Sequence, residues 1–205
     1  MDLYKINRNS LEPIDRDPFK LEKEIQTVVE SNIETLFGIE FVKSEFSLGG
    51  FRLDSICFDN ETNSFVIIEY KKGSSYSVID QGYSYLSLML NNKSDFILEY
   101  NETKKKTLKR DNVDWSQSRI IFISPSFSSY QKNSVNFKDV PFELWEIKRF
   151  SNGTIGLDQH LSSSEESIQK IDGNKNSVIK KVGKEVITYV EEIPLGKIDQ
   201  SLKDL

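Results

Sequence analysis

The chain has 205 residues and a net charge of −5, with 37% hydrophobic and 29% charged residues, so we expect a globular protein with one sizeable core. The acidic charge argues against a broadly basic nucleic-acid coat. The single cysteine excludes an intrachain disulfide, and the single histidine argues against zinc clusters and histidine-dependent nucleophiles. No apolar run approaches the roughly 18 residues of a transmembrane helix, and the N-terminus lacks a signal-peptide core, which predicts a cytoplasmic protein without a membrane partner.

The first third of the chain is predicted to contain a polar arm, an amphipathic helix and a strand. Residues 1–16 are mixed and polar, as expected of an irregular arm or an edge strand. Asp17 is a good N-cap for a helix over residues 18–37, whose apolar residues recur at spacings of three and four until Gly38. The pattern predicts a first strand over residues 39–46.

Polar side chains of this helix differ in their position relative to its apolar stripe. Glu22 falls at the edge of the stripe, whereas Glu30 and Glu34 are predicted to point away from it. Asn32 lies on the apolar side, where we expect it to hydrogen-bond a neighbouring backbone group.

Residues 51–72 are predicted to form two strands joined by the polar turn 60–63. The first strand alternates, and the second is a continuous apolar run that is typical of a strand buried on both faces. This run leads into Glu69 and Lys71, which share one face because they are two residues apart. By themselves, these two charges also fit a solvated strand end.

The length of the turn predicts which residues of the two strands lie opposite each other. In a simple antiparallel hairpin, Asp54 lies opposite Glu69 and Arg52 lies opposite Lys71. Two adjacent carboxylates repel, and a divalent cation between them would convert the repulsion into coordination. Carboxylates together with water and phosphate oxygens suit Mg²⁺, so the pattern predicts a Mg²⁺ (or Mn²⁺) site.

This Asp…Glu-x-Lys arrangement resembles that of the PD-(D/E)XK nuclease superfamily, with Asp54, Glu69 and Lys71 at the motif positions and Leu53 in place of the usual proline. A wider resemblance covers about residues 18–160 and is similar to a group of bacterial proteins assigned to that superfamily. It is carried by the segments LEKEIQTVVESNIETLFGIEFVKSEF, RLDSICFD, VIIEYKK and VIDQGYSYL. The resemblance implies a nuclease-like fold.

The resemblance also implies roles for four further groups. The Tyr70 backbone carbonyl is a candidate metal ligand. Glu22 matches the glutamate that many members carry in the first helix and is a further candidate ligand. The alternative for Glu22 is an ordinary exposed glutamate near a helix N-terminus. Gln81 matches a glutamine that borders the active site in relatives, with a surface glutamine over a half-buried Tyr85 as the alternative. Lys71 would orient water or stabilise charge on the phosphorane.

The middle of the chain contains the second predicted helix and a concentrated basic run. The helix covers residues 77–91, and Gly82 would let it pack closely against the sheet. Residues 94–100 fit either a short helix or a strand. Two readings of the basic run remain open, a set of contacts to nucleic-acid phosphates or a solvated loop; it consists of Lys104, Lys105, Lys106, Lys109 and Arg110.

The remaining segments complete an α/β fold. Residues 119–124, 142–150 and 154–159 are predicted strands, and a short helix is expected within 126–133. We therefore predict a restriction-endonuclease-like mixed sheet of five or six strands with an antiparallel central hairpin and helices on both faces. Residues 1–160 would form this domain, and residues 161–205 would form a linker and a C-terminal segment. This segment has a predicted strand near residues 186–190. It is either the beginning of a second small domain or a truncation.

Two functions follow as hypotheses. The first is a metal-dependent DNA endonuclease in DNA repair or in defence against foreign DNA, with Asp54, Glu69, Lys71 and Gln81 in the catalytic site. The second is a non-catalytic module on the same fold that binds nucleic acid or protein, which the acidic net charge favours. The sequence leaves RNA as a substrate and a homodimer open.

Overall fold

The computed structural model describes residues 1–73 and 78–167, and Met1–Glu165 form one compact unit. The predicted boundary near residue 160 stays a prediction, and the strand predicted near 186–190 lies outside the described residues. Among the described residues, no helix has the length and apolar character needed to cross a membrane.

Eight strands and five helices form the described unit. The strands are β1 (Leu3–Asn7), β2 (Ser10–Ile14), β3 (Glu40–Leu48), β4 (Phe51–Asp59), β5 (Ser64–Tyr70), β6 (Arg119–Ser124), β7 (Phe142–Arg149) and β8 (Ile155–His160). The helices are α1 (Glu22–Glu30), α2 (Ile33–Phe37), α3 (Val78–Asn91), α4 (Lys93–Lys104) and α5 (Ser129–Ser134). The arm over residues 1–16 is thus a β-hairpin, and the segment 94–100 is helical.

The main sheet has six strands in the order β3-β4-β5-β6-β7-β8, and β1 and β2 form a separate two-stranded sheet. Strands β3, β4 and β5 pair antiparallel, β5, β6 and β7 pair parallel, and β8 pairs antiparallel with β7. The predicted mixed α/β fold with an antiparallel central hairpin is confirmed.

Each face of the sheet is covered by its own hydrophobic core. Ile25 and Val29 of α1 pack with Ile68, Ile121 and Ile147 on one face. On the other face, helices α3 and α4 pack against the strands. The helices contribute Val78, Tyr85, Met89 and Phe96, and the strands contribute Ile56, Ile67, Phe122 and Leu144. Along β5 the alternation is regular, so Phe65 and Ile67 lie on the α3 face and Val66, Ile68 and Tyr70 on the α1 face.

The helix predicted over residues 18–37 is shorter than expected and is broken in two. It begins at Glu22, because Asp17 is not an N-cap but pairs with Arg149 of β7 at 2.8 Å. The break follows from Ser31 and Asn32, whose side chains hydrogen-bond the carbonyls of residues four positions earlier, as predicted for Asn32. Gly38 ends α2 with a φ of 68°, as the sequence predicts.

The prediction that Glu30 points away from the protein is wrong. Its Oε1 accepts hydrogen bonds from the Ser55 hydroxyl at 2.6 Å and from the Gln26 amide at 2.9 Å. Ser55 is buried on the α1 face of β4, and the last turn of α1 lies over it. A buried hydroxyl needs a hydrogen-bond partner. A helical wheel shows only the residues of the helix, so it could not indicate that Glu30 would serve as the partner of Ser55.

Helix α3 packs tightly on the sheet at Gly82, as predicted. A Cβ atom at this position would lie 3.0 Å from the Phe142 ring and 3.1 Å from the Phe122 ring. Because the backbone approaches the sheet so closely, the side chain of Gln81 on the same turn is brought to the carboxyl end of β5.

Candidate active site

The central hairpin has the predicted register. Ser55 of β4 pairs with Ile68 of β5, so Asp54 and Glu69 are the next two residues on either side, where the ladder ends. Glu69 alternates with Ile68 and Tyr70 of the α1-face core and therefore lies on the α3 face, and Asp54 reaches the Tyr70 N–H from the opposite strand. Opposed residues of an antiparallel pair have Cβ atoms about 4.5–5.5 Å apart, so the two carboxylates are neighbours.

Glu69 is buried to 3% exposure, and its two carboxylate oxygens differ. Oε1 accepts hydrogen bonds from the Lys71 ammonium at 2.9 Å and from the Gln81 amide at 2.7 Å. Oε2 is buried without a hydrogen-bond partner among the described residues. A carboxylate oxygen without a partner is costly in a protein interior, so this atom is available to a cation or to a proton.

Backbone and side-chain contacts hold the site residues in place. The Lys71 N–H donates to the Ile123 carbonyl at 2.9 Å, which extends the β5–β6 ladder to the end of the motif. Gln81 Nε2 lies 2.8 Å from the Tyr85 hydroxyl, and this hydroxyl donates to the Arg52 carbonyl at 3.2 Å. Gln81 and Tyr85, which are four residues apart on α3, thus link this helix to Glu69 of β5 and to Arg52 of β4.

Asp54 is half-buried and is oriented by the backbone of the opposite strand. Its Oδ2 accepts a hydrogen bond from the Tyr70 N–H at 3.1 Å. Burial raises the pKa of Asp54, and this effect outweighs the Tyr70 hydrogen bond and the charge of Lys71, which favour the anion. Glu45 and Glu22 raise the same pKa further.

The pKa values of Glu69 and Lys71 are both raised, for different reasons. Burial, followed by the charge of Asp54, raises the pKa of Glu69 to about 7. Burial acts to lower the pKa of Lys71, but its hydrogen bond and ion pair with Glu69 outweigh that effect. Lys71 is therefore an ammonium ion at neutral pH, beside a carboxyl group that titrates near neutrality.

Glu22 lies at the border of the site and is exposed. Its Oε1 accepts a hydrogen bond from the Lys72 N–H at 2.9 Å, and its charge contributes to the raised pKa values of Asp54 and Lys71. The structure thus brings the exposed Glu22 to the end of β5. Its role as a metal ligand, like that of the Tyr70 carbonyl, stays a prediction.

Gln26 is a buried neighbour of the site that the sequence analysis missed. It is 4% exposed, and its Nε2 lies 3.3 Å from the backbone carbonyl of Asp54 and 3.3 Å from Oε1 of Glu45. Glu45, which lies within β3, also pairs with Arg52 at 2.9 Å. The position of Gln26 directly after the apolar Ile25 was the available signal.

The basic run lies at the other end of the central hairpin. Lys104 and Lys106 pair with Glu40 at 3.4 and 3.1 Å, and Glu40 lies opposite Phe58 in the β3–β4 ladder. Phe58 is four residues from Asp54, which corresponds to about 13 Å along a strand. The run is therefore not part of the carboxylate site, and its contact with nucleic acid stays a prediction.

The residues present fit a hard divalent cation. Asp54 and Glu69 supply two carboxylates, and the buried Oε2 of Glu69 has no hydrogen-bond partner in the part of the chain that the structure describes. Among the described residues, no group of three or more His, Cys, Asp or Glu side chains is arranged as a metal cluster. Mg²⁺ commonly binds one or two carboxylates and completes its coordination shell with water and phosphate oxygens, so a carboxylate pair is a suitable ligand set for it.

The fold and site define a mixed α/β protein with a buried carboxylate pair and a lysine at the carboxyl end of a central strand. No model of a known protein family matches the sequence. The chain is 44% identical over 206 residues to an uncharacterised protein of Haemophilus influenzae, with all of this chain and 68% of that protein aligned. The chain belongs to the same family as that protein.

Solved structures with a likeness to this chain include a repair endonuclease from Pyrococcus abyssi, with 14% identity and a TM-score of 0.38, and EndoMS in complex with double-stranded DNA, with 15% identity and a TM-score of 0.36. The matches cover 69% and 71% of this chain but only 63% and 64% of those chains. At these identities and TM-scores, the likeness carries no conclusion about activity.

Proposed function

We propose that the protein is a metal-dependent DNA endonuclease of the PD-(D/E)XK type. The observation that carries the proposal is the state of Glu69, whose Oε2 is buried without a partner among the described residues while Oε1 is held by Lys71 and Gln81. Asp54 stands beside it on the neighbouring strand. The Lys71 ammonium balances one of the two carboxylates, so one negative charge remains at a largely buried site. Such a charge is destabilising by itself, which supports a functional role.

Asp54 and Glu69 would hold the Mg²⁺ or Mn²⁺ ion, with the Tyr70 carbonyl and Glu22 as further candidate ligands. The ion would supply polarisation of the scissile phosphate and a bound water of lowered pKa. The chain's own contribution is to bring the two carboxylates close enough to interact, and the Tyr70 N–H and the Gln81 amide restrict their orientation.

Lys71 and Gln81 have separate tasks in this proposal. The raised pKa of Lys71 keeps its amine protonated, so it acts as a donor and a positive charge rather than as a base. An ammonium fixed beside the reacting phosphate stabilises the negative charge that develops in the transition state. Gln81 connects Glu69 to Tyr85 and acts by positioning.

A nuclease assay tests the proposal. The full chain would be incubated with single-stranded, duplex and branched DNA, and with RNA, in Mg²⁺, in Mn²⁺ and in EDTA. We expect DNA cleavage only with a divalent metal, and its loss in Asp54→Asn and Glu69→Gln. Lys43→Gln is a matched control, because Lys43 pairs with Glu99 at 2.9 Å away from the site.

Two outcomes would contradict the proposal in different ways. If RNA alone is cut, the chemistry stands and the DNA assignment is wrong. If no nucleic acid is cut with either metal, the non-catalytic binding module becomes the better explanation. DNA repair and defence against foreign DNA both remain compatible with an endonuclease.

A further inference from the structure

A second Glu-x-Lys tripeptide, Glu146-Ile147-Lys148, lies on β7. The parallel ladders place Tyr70 beside Ile123, and Ser124 beside Glu146. Glu146 is therefore level with the residue that follows Tyr70, which is Lys71. The two tripeptides lie at the same edge of the sheet, separated by the end of β6.

Both tripeptides also face the same side of the sheet. Leu144 belongs to the α3-face core, and Ile147 belongs to the α1-face core. Glu146 and Lys148 alternate with Ile147 and thus lie on the α3 face, as Glu69 and Lys71 do. Helix α5, which contacts α3, brings Lys132 to this face.

Glu146 is surrounded by positive rather than negative charge. Its Oε1 lies 3.0 Å from the Lys132 ammonium, and its Oε2 lies 3.6 Å from the Lys148 ammonium. The Lys148 ammonium also donates to the Pro125 carbonyl, and the Phe127 N–H donates to Glu146 at 3.1 Å. Two ammonium ions on one carboxylate leave one positive charge in excess.

This excess charge is accessible from solvent. The side chains of Lys132 and Lys148 are 34% and 17% exposed. An ammonium group has three donors, and the contacts named above leave donors for a further acceptor. Partly buried ammonium ions at fixed positions are suited to phosphate oxygens, for which lysine acts as a point charge.

The distance from the carboxylate pair matches a nucleic-acid strand. Strands β5 and β7 are two steps apart, which corresponds to about 10 Å. One strand of B-DNA carries a phosphate every ~3.4 Å along the helix axis and also winds around that axis, so successive phosphates are further apart through space than this rise. A distance of about 10 Å therefore brings a phosphate about one to two nucleotides from the reacting one near Lys132 and Lys148.

We propose that Lys132 and Lys148 form a phosphate-binding site that holds the DNA strand about one to two nucleotides from the carboxylate pair. The proposal rests on the proposed function for the identity of the strand. It places the path of the strand across the carboxyl ends of β5, β6 and β7, over Ser124. It also places the main contact away from the run at residues 104–110, where Glu40 already partners Lys104 and Lys106.

Binding measured without cleavage tests this site. The full chain in EDTA would be titrated into a fluorescein-labelled DNA of about 20 nucleotides, single-stranded or duplex, and anisotropy recorded at several salt concentrations. Replacing both lysines by Lys132→Gln and Lys148→Gln should weaken binding roughly tenfold and lower the slope of log K against log salt by about one to two units.

Glu146→Gln provides a test with the opposite sign. Removing the carboxylate leaves both ammonium ions unneutralised, so binding should strengthen roughly threefold or more. A merely structural role of the cluster would instead weaken binding in all variants. Lys43→Gln and Glu99→Gln, from an ion pair at 2.9 Å, are the matched controls and should change affinity less than about twofold.

The outcomes separate this site from the proposed function. Wild-type affinity and salt slope in the double variant, or weaker binding by Glu146→Gln, would overturn the phosphate site even if the wild type cuts DNA. If the double variant does not fold, Lys132→Gln alone together with Glu146→Gln decides. If the variants respond as expected and nothing is cut, the phosphate site stands and the endonuclease proposal fails. A response with labelled RNA and none with DNA would overturn DNA as the ligand.

Discussion

The Glu-x-Lys pattern occurs twice at one edge of the main sheet, on β5 and on β7, and the neighbouring charges shift the pKa of the two glutamates in opposite directions. Glu69 is opposed by the carboxylate of Asp54, and burial with that charge raises the pKa of Glu69 to about 7. Glu146 is opposed by ammonium ions. Burial acts to raise its pKa, but the hydrogen bonds and charges of Lys132, Phe127 and Lys148 bring it below the ordinary value.

The comparison shows that Glu-x-Lys on a strand carries no function by itself. Oε1 of Glu146 accepts from Lys132 and from the Phe127 N–H, and its Oε2 forms an ion pair with Lys148 at 3.6 Å. Oε2 of Glu69 has no hydrogen-bond partner among the described residues. A carboxylate surrounded by cations is already neutralised and does not require a metal ion. Asp54 and Glu69 share the ammonium ion of Lys71, so a metal ion or a proton is needed to balance the second carboxylate. The neighbouring strands decide which chemistry is possible.

The largest expected effect is on catalysis, where the two lysines should act on different quantities. Lys71→Ala removes the charge beside the reacting phosphate, so the single-turnover cleavage rate should fall about 10²–10³-fold with little change in DNA affinity. Lys148→Gln should act on affinity instead. Cleavage at the wild-type rate by Lys71→Ala in a rapid-quench assay would show that the assignment of this site is wrong, and Lys43→Gln controls for loss of a lysine.

The stability of the metal-free protein should depend on pH in opposite ways at the two glutamates. Since the folded-state pKa of Glu69 is above its ordinary 4.5, stability from this residue is complete below about pH 4.5 and is lost as pH rises through about 7. At 1.36 kcal/mol per pKa unit, the loss is on the order of 3 kcal/mol. Denaturant unfolding in EDTA measures it.

Variants isolate the two contributions to this profile. Glu69→Gln should flatten the fall between about pH 4.5 and 7. For Glu146, whose pKa is lowered, stability is present above its ordinary pKa and is lost as pH falls through the lowered value. Glu146→Gln should therefore change the profile only below about pH 4.5. A fall between pH 4.5 and 7 that persists in Glu69→Gln would place the titrating group elsewhere.

Metal binding should stabilise the protein through the site at Asp54 and Glu69, and not through Glu146. At a free Mg²⁺ concentration about 100 times Kd, binding to the native state contributes about 2.7 kcal/mol, or roughly 5–10 °C in melting temperature for a chain of this size. Asp54→Asn should remove most of this increase and relieve the repulsion in the metal-free protein. Glu146→Gln should keep the increase, and an unchanged response in Asp54→Asn would place the metal elsewhere.

The smallest effect should come from the basic run at residues 104–110. Lys104 and Lys106 already pair with Glu40, so neutralising all five basic residues should lower the salt slope of DNA binding by less than one unit per residue. Cleavage at saturating DNA should change little. Salt-dependent anisotropy measures the slope, and a larger loss of affinity here than in the Lys132 and Lys148 variants would reverse the ranking of the two basic regions.

The features that depend on local geometry could be predicted from the order of the residues. The four-residue turn with Asn63 at a φ of 52° sets the register that places Asp54 beside Glu69. Helical spacing brings Gln81 and Tyr85 together, and Gly38 ends its helix through its left-handed conformation. In each case the residues concerned are close in the chain, so the spacing of side chains follows from the period of one element.

The tertiary structure alone decided which distant residues share the edge of the sheet. Parallel pairing of β5, β6 and β7 depends on long connections, whose geometry is not contained in any strand. Lys132, Glu146 and Lys148 therefore showed no sign of lying near Glu69. Glu30 was misjudged for the same reason, because its partner Ser55 is 25 residues away and becomes a neighbour only when α1 packs on β4.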